Sequence, residues 1–283
     1  MYYRPAELSR ARRLRHWSLM AILLWAFHFI AQGEPVAAHH LEGTLHGYLT
    51  LRTGDGQVIA AGDLLQVVHG DRVTSHLVFH FKDGSVDDET AVFSQRGNFQ
   101  LISDHHIQKG PFFPHPMELS IDVRSGEVTV KSTDKDGKDE LKTEHMKLPP
   151  DLYNGMILPV TKNVRTGAAE QTVSMIVAMP KPRLVKLAIS PQGEEGFTLA
   201  GFERKALHYS IRIELGGVTG VVAPMVGKQP PDIQVWIEGG AVPGFVAEEG
   251  PISEDGPIVS IQQTGPSFPA NARANEPHAG GGN

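Results

Sequence analysis

The sequence predicts a mainly all-β protein, a large curved antiparallel sheet or half-open barrel with one short irregular helix on its concave side. Three observations carry that expectation. Residues 57–109 alternate apolar and polar side chains and are punctuated by Gly70-Asp71, Asp83-Gly84 and Gly97-Asn98. Such pairs favour tight hairpin loops because Gly, Asn and Asp tolerate positive φ. Alternating segments at short spacing continue through most of the chain, and only residues 151–164 repeat apolar residues at intervals of four. A sheet of ten or so strands must curl or split.

In order, 45–51 reads as a first strand turned by Thr53-Gly54-Asp55-Gly56. The meander follows as 57–69, 72–82, 85–96 and 99–109, closed by the rigid 110–116. Residues 117–123 and 127–133 form a hairpin around Arg124-Ser125-Gly126, and 139–147 is a polar, edge-like strand beyond a charged loop tip at 134–138. Leu152, Met156, Val160 and Val164 mark one helical face with Asp151 as N-cap, while Gly155 and Pro159 predict a break or kink. Strands resume at 172–178, 184–190, 197–202, 205–215, 232–237, 242–247 and 258–262. On 205–215, Leu207, Tyr209, Ile211, Ile213 and Leu215 face one side.

The N-terminus has the three-part layout of a secretory signal peptide. Arg10, Arg12, Arg13 and Arg15 precede an apolar run from Trp17 to Ala31, which is shorter than the roughly 20 residues of a spanning helix. Val36 and Ala38 suit cleavage after Ala38, with Ala31 and Gly33 as the second choice. The domains expected are therefore a signal peptide at 1–38, one β domain at 39–262 and a disordered tail at 263–283. The product is periplasmic or secreted, with no permanent membrane span once the signal is removed.

Composition excludes several classes. The 283 residues contain no cysteine, so disulfides, thiol nucleophiles, zinc–thiolate sites and a lipid-modified cysteine are ruled out. The formal charge is −6, and residues 1–38 contribute five arginines against two glutamates, so the remainder is still more acidic. That balance opposes binding to nucleic acid or to anionic membranes. No nucleophile elbow, H-E-x-x-H helix, phosphate-binding loop or dinucleotide fingerprint is present, which points away from an enzyme. Nothing calls for a cofactor.

The order of a leader, a long meander, Asp151-Leu152-Tyr153-Asn154-Gly155, further strands and Asp232-Ile233-Gln234-Val235-Trp236-Ile237 resembles secreted bacterial proteins of the DUF3108 type. The stretch from Val73 to Ser85 also looks like that of secreted β-proteins of soil bacteria. The resemblance implies a half-barrel like those of the LolA and LolB lipoprotein carriers, and an exported protein holding an apolar ligand. It carries no catalytic signature.

Two candidate sites follow. Phe79, Phe81, Met156, Val160, Tyr209, Ile211 and Trp236 are candidates to line an apolar cavity under a helical lid at 151–164, for a hydrophobic small molecule or an envelope protein. The alternative is a structural or interaction module in which the same residues are a filled core. If Asp83-Gly84 is a two-residue turn, His76, His80, Asp87, Glu89, Asp104 and His106 share the face opposite Phe79 and Phe81. His80, Glu89 and His106 then stand close enough to share a cation, because strands lie ~4.8 Å apart and rows ~6.6–6.8 Å apart. The blander reading is a solvent-facing ladder of opposite charges that holds register.

Overall fold

The computed structural model describes residues 34–133, 138–167, 169–178, 181–199, 201–214, 230–253 and 255–264. The alternating pattern produces strands throughout. In chain order they are β1 (Leu45–Thr53), β2 (Val58–His69), β3 (Arg72–Phe81), β4 (Val86–Ser94), β5 (Gln100–Lys109), β6 (Met117–Asp122), β7 (Glu127–Thr133) and β8 (Asp139–His145). A short helix, α1 (Ile157–Thr161), separates these from β9 (Gln171–Val177), β10 (Arg183–Leu199), β11 (Phe202–Glu214), β12 (Ile233–Glu238), β13 (Gly244–Pro251) and β14 (Ile258–Gln263).

One antiparallel sheet contains all fourteen, in the order β8-β7-β6-β5-β4-β3-β2-β1-β14-β13-β12-β11-β10-β9. Two meanders meet where β1 pairs with β14, with Leu51 opposite Ile261. The sheet stays open, with β8 and β9 at its ends. Its curvature can be read from the core. Val128 of β7 and Ile211 of β11 share one buried cluster although ten strand spacings separate them in the sheet order. In a flat sheet that separation would be roughly 48 Å at ~4.8 Å per strand. Only a sheet curled towards closure brings both to one core, so the expected half-barrel is the fold.

Residues 151–164 run through the concave side, and only five of them are helical. The first four pair with β9 instead: Ser174 N donates to Asp151 O at 2.8 Å and Tyr153 N to Ser174 O at 3.0 Å. The Asn154 amide donates to Ile176 O at 2.9 Å and accepts from Ile176 N at 2.8 Å. Gly155, at φ +64, then turns the chain, and Pro159 falls in the first turn of α1, where its missing N–H costs little. Leu152, Met156, Val160 and Val164 do share one face, and it is buried in the core between the two halves of the sheet. Tyr153 is fully buried, its hydroxyl accepting from Val36 N at 2.9 Å and donating to Phe99 O at 3.2 Å.

Some expected boundaries move. The strands expected at 184–190 and 197–202 are β10 and its hairpin with β11, joined across a bulge at Pro191–Gly193. Gln263, expected to start the tail, pairs with Leu49. Most of the expected signal peptide (1–33) and tail (265–283) lie outside the described residues, as does Leu215. Val36 and Ala38 are held by β-type bonds instead of being free ends. Phe99 N donates to Val36 O at 2.9 Å and Ala38 N to Gly97 O at 2.8 Å.

Candidate functional site: an acidic cavity in the half-barrel

The register of the β3–β4 hairpin decides what faces inward. Phe81 N donates to Ser85 O at 2.9 Å, closing a three-residue loop of Lys82, Asp83 and Gly84 instead of the two-residue turn expected. Gly84 takes φ +88, as the last position of a type I turn with a G1 bulge requires, and the Asp83 carboxylate accepts from Ser85 N at 2.9 Å. Phe79 therefore pairs with Asp87 and Leu77 with Glu89. A one-residue slip reverses every side chain on a strand relative to its neighbour. Asp87, Glu89, Asp104 and His106 consequently share the inner face with Phe79, while His80 lies opposite Val86 on the outer face, exposed.

That corrects the expected cation site. Glu89 and His106 are cross-strand partners as expected, with His106 Nδ1 3.8 Å from Glu89 Oε1, but His80 cannot join them. Among the described residues, no group of three or more His, Asp or Glu side chains is arranged to hold a metal ion. The outer face does carry a charge ladder: His76 with Asp88 at 2.9 Å, His105 with Glu118 at 2.9 Å, and His46 with Asp63.

The seven apolar candidates divide between places. Met156, Val160, Tyr209 and Ile211 belong to the main core cluster. Phe79 and Phe81 belong to a second cluster with Leu49, Leu51 and Val259. Trp236 is on the outer face, stacked on His208 with ring centroids 4.8 Å apart, and its indole N–H donates to Glu195 at 2.9 Å. Its neighbours Val235 and Ile237 are the residues that point inward, since side chains alternate along a strand. None of the seven borders the cavity that the half-barrel does contain.

That cavity, of 530 Å³, lies against the opposite side of the 151–164 segment, at Gly155, Leu158, Pro159 and Lys162. The segment separates a packed core from a space, as a wall instead of a lid. Leu49, Leu64, Leu77, Phe245 and Ile261 form an apolar lining, and Glu42, Glu89 and Glu248 supply carboxylates. Phe245 and Glu248 share the inner face despite being three apart because a bulge skips Val246.

The carboxylates differ in their partners. Glu42 is neutralised by Lys162, 2.6 Å away, and also accepts from the Gln66 side chain at 3.1 Å. Glu89 has only the long approach from His106, whose Nε2 donates to Asp87 at 2.6 Å. The Glu248 carboxylate has no hydrogen-bond or ion-pair partner among the described residues, although its backbone pairs with Val235 and Ile261. Behind Glu89, Asp104 is 2 % exposed and neither of its oxygens is hydrogen-bonded. A Cβ at Gly155 would lie 2.9 Å from Asp104 Oδ1 and 2.6 Å from the Ala91 Cβ, so a side chain here would collide with the cluster.

Burial governs how these groups titrate, because it disfavours a charged carboxylate. It raises Glu89, with the His106 charge working against it and Asp87 with it. It raises Asp104 well above the usual range, reinforced by Glu89. Glu248 is pushed up to about 7, by burial first and then by the charge of Glu89. Burial alone lowers His106, but the charge of Glu89 and the hydrogen bond to Asp87 reverse this and raise it to about 9. The cavity therefore has an acidic end that takes up protons near neutral pH, set against an apolar lining.

A second buried network anchors the segment. Lys186 Nζ donates to Asp151 at 3.0 Å and to Ser174 Oγ at 2.7 Å, and the Ser174 hydroxyl donates to Asp151 at 2.8 Å. None of its three residues lines the cavity, and it holds the segment to β9 and β10.

No protein-family model matches the chain, and no curated protein matches it. Among solved structures, it is similar to a β-barrel-like protein of the domain of unknown function DUF1849 from Brucella abortus. The TM-score is 0.41 at 8% identity, covering 79% of this chain and 98% of that one. It is also similar to the hypothetical lipoprotein YmcC from Escherichia coli. Here the TM-score is 0.34 at 10% identity, covering 92% of this chain and 100% of that one. No helix among the described residues is long and apolar enough to cross a membrane.

Proposed function

We propose that this chain is an exported, non-enzymatic binding protein of the cell envelope, whose half-barrel holds a small molecule with a hydrophobic body. The observation that carries this reading is the 530 Å³ cavity with its apolar lining. Its size falls in the ~300–1,000 Å³ range of small-molecule sites, which are mostly apolar with a few polar groups that orient the ligand. Export rests on the basic, apolar and small-residue order of the N-terminus. The resemblance in pattern to secreted half-barrels of the DUF3108 and lipoprotein-carrier kinds agrees with such a role.

A filled-core interaction module is the competing reading, and the complete burial of Met156 and Val160 favours it for the space beneath that face of the segment. Binding is therefore assigned to the other face alone. The test is to purify the protein from a periplasmic extract, denature it and analyse the released small molecules by mass spectrometry. Leu77→Trp, which fills the cavity, serves as the control. A species present with wild type and lost with Leu77→Trp supports binding. No released species, together with no melting shift by any added amphiphile, leaves the interaction module.

A further inference from the structure

We propose that the cavity takes a cationic amphiphile, with its positively charged head between Glu89 of β4 and Glu248 of β13 and its apolar body against Leu49, Leu64, Leu77, Phe245 and Ile261. This rests on the cavity being a binding site and adds the chemistry of its occupant. Of the three glutamates in the lining, Glu42 already has Lys162 at 2.6 Å. Of the other two, Glu89 has only His106 Nδ1 at 3.8 Å, and the Glu248 carboxylate has no ion-pair partner among the described residues. His106 is the one positive group near Glu89, and its short bond goes to Asp87.

Asp104 gives a second and independent indication. It is a carboxylate 2 % exposed with both oxygens unbonded, directed at Glu89 and Gly155, the latter in the cavity wall. Buried carboxylates are ordinarily paired or hydrogen-bonded, because leaving them bare is costly. Among the described residues, Asp87, Glu89, Asp104 and Glu248 share a single partly buried cation, His106. An arriving ammonium group supplies the missing charge, whereas a fatty acid would add another negative one. The volume suits such a ligand: at the ~30 Å³ of one water, the cavity holds roughly 18 non-hydrogen atoms. A twelve-carbon chain with one small head group fits.

Protons compete with the cation for the same carboxylates. Glu248 faces Glu89 across the cavity, with Glu42 and Lys162 also in the lining and Asp87, Asp104 and His106 behind Glu89. Acidification protonates Glu248 as pH falls through about 7 and removes the charge that holds the head. Binding of the amine weakens at least tenfold between pH 8 and pH 5, while binding of a neutral chain changes little.

The experiment is calorimetric titration of the full-length exported protein with dodecylamine, dodecanol and dodecanoate, each below its aggregation threshold, at pH 8 and pH 5. Dodecylamine is expected to bind at least tenfold more tightly than the other two at pH 8. Glu89→Gln and Glu248→Gln should each cut that advantage about tenfold, with a cooperative thermal melt showing that the variants are folded. Dodecanoate binding as tightly as dodecylamine would overturn the assignment of charge, as would an amine advantage that survives both substitutions. In either case the cavity remains a binding site. If none of the three probes binds, the binding reading itself falls.

Discussion

Replacing Gly155 by alanine should destabilise the protein by about 2–5 kcal/mol, because two separate penalties meet at this residue. Its φ of +64 is a left-handed conformation that costs an L-residue ~1–2 kcal/mol. The added Cβ would also stand 2.6 Å from the Ala91 Cβ and 2.9 Å from Asp104 Oδ1, and overpacking of this kind costs ~1–3 kcal/mol. Urea unfolding measures the change, and an unaltered m-value would show that only stability has moved. Ala91→Gly removes one of the colliding atoms. In that background Gly155→Ala should cost about 1 kcal/mol less, within the range of couplings between touching residues. A loss under ~0.5 kcal/mol, the level of an uninvolved surface site, or an absence of coupling to position 91, would refute the seating of the segment on β4 and β5.

Other expectations follow from the same geometry. Met156→Ala removes a fully buried side chain from the core and should cost ~2–5 kcal/mol in urea unfolding; a negligible loss would mean that this face is not packed. Lys186→Met strips the cation from the fully buried Asp151 and should cost ~3–5 kcal/mol, with Lys186→Met/Asp151→Asn recovering part of it. Stability should fall as pH rises from the ordinary glutamate range through about 7, because folded Glu248 binds protons that the unfolded chain releases. The His106 contribution is complete below the ordinary histidine value and is lost as pH rises through about 9. Melting profiles of Glu248→Gln and His106→Gln should flatten in those respective windows, and parallel profiles would argue against both assignments. N-terminal sequencing of exported protein should find cleavage after Gly33, because cleavage after Ala38 would discard the Val36 bonds to Tyr153 and Phe99; a start at His39 would contradict this.

Most of the architecture was legible in the sequence because alternation and turn residues are local signals. The strands from β1 to β8 fall within a residue or two of their expected ends, and the face formed by Leu152, Met156, Val160 and Val164 is a real one. The site was not legible, and a single loop explains much of the failure. Asp83-Gly84 is compatible with a two-residue turn or with a three-residue loop ending in a G1 bulge, and the choice reverses the faces of β3 and β4 relative to each other. The expected solvent-facing His and Glu row thus became a buried acidic cluster, with His80 left outside. Asp83 followed by Gly84 and Ser85 held the relevant signal, since an Asp side chain can accept from the backbone two residues on. Glu248 escaped because the strand was expected to end at 247 and because a bulge breaks the alternation of β13, and bulges depend on cross-strand context. The apolar set was left open between a cavity lining and a filled core because periodicity shows that a face is buried without showing what it meets.

The most direct measurement is a crystal structure of the protein soaked with dodecylamine. The account predicts density in the 530 Å³ cavity, with the nitrogen between Glu89 and Glu248 and the chain along Leu49, Leu64 and Phe245. Ordered water filling that cavity, with the amine absent or bound only on the outer face beside Trp236, would contradict it.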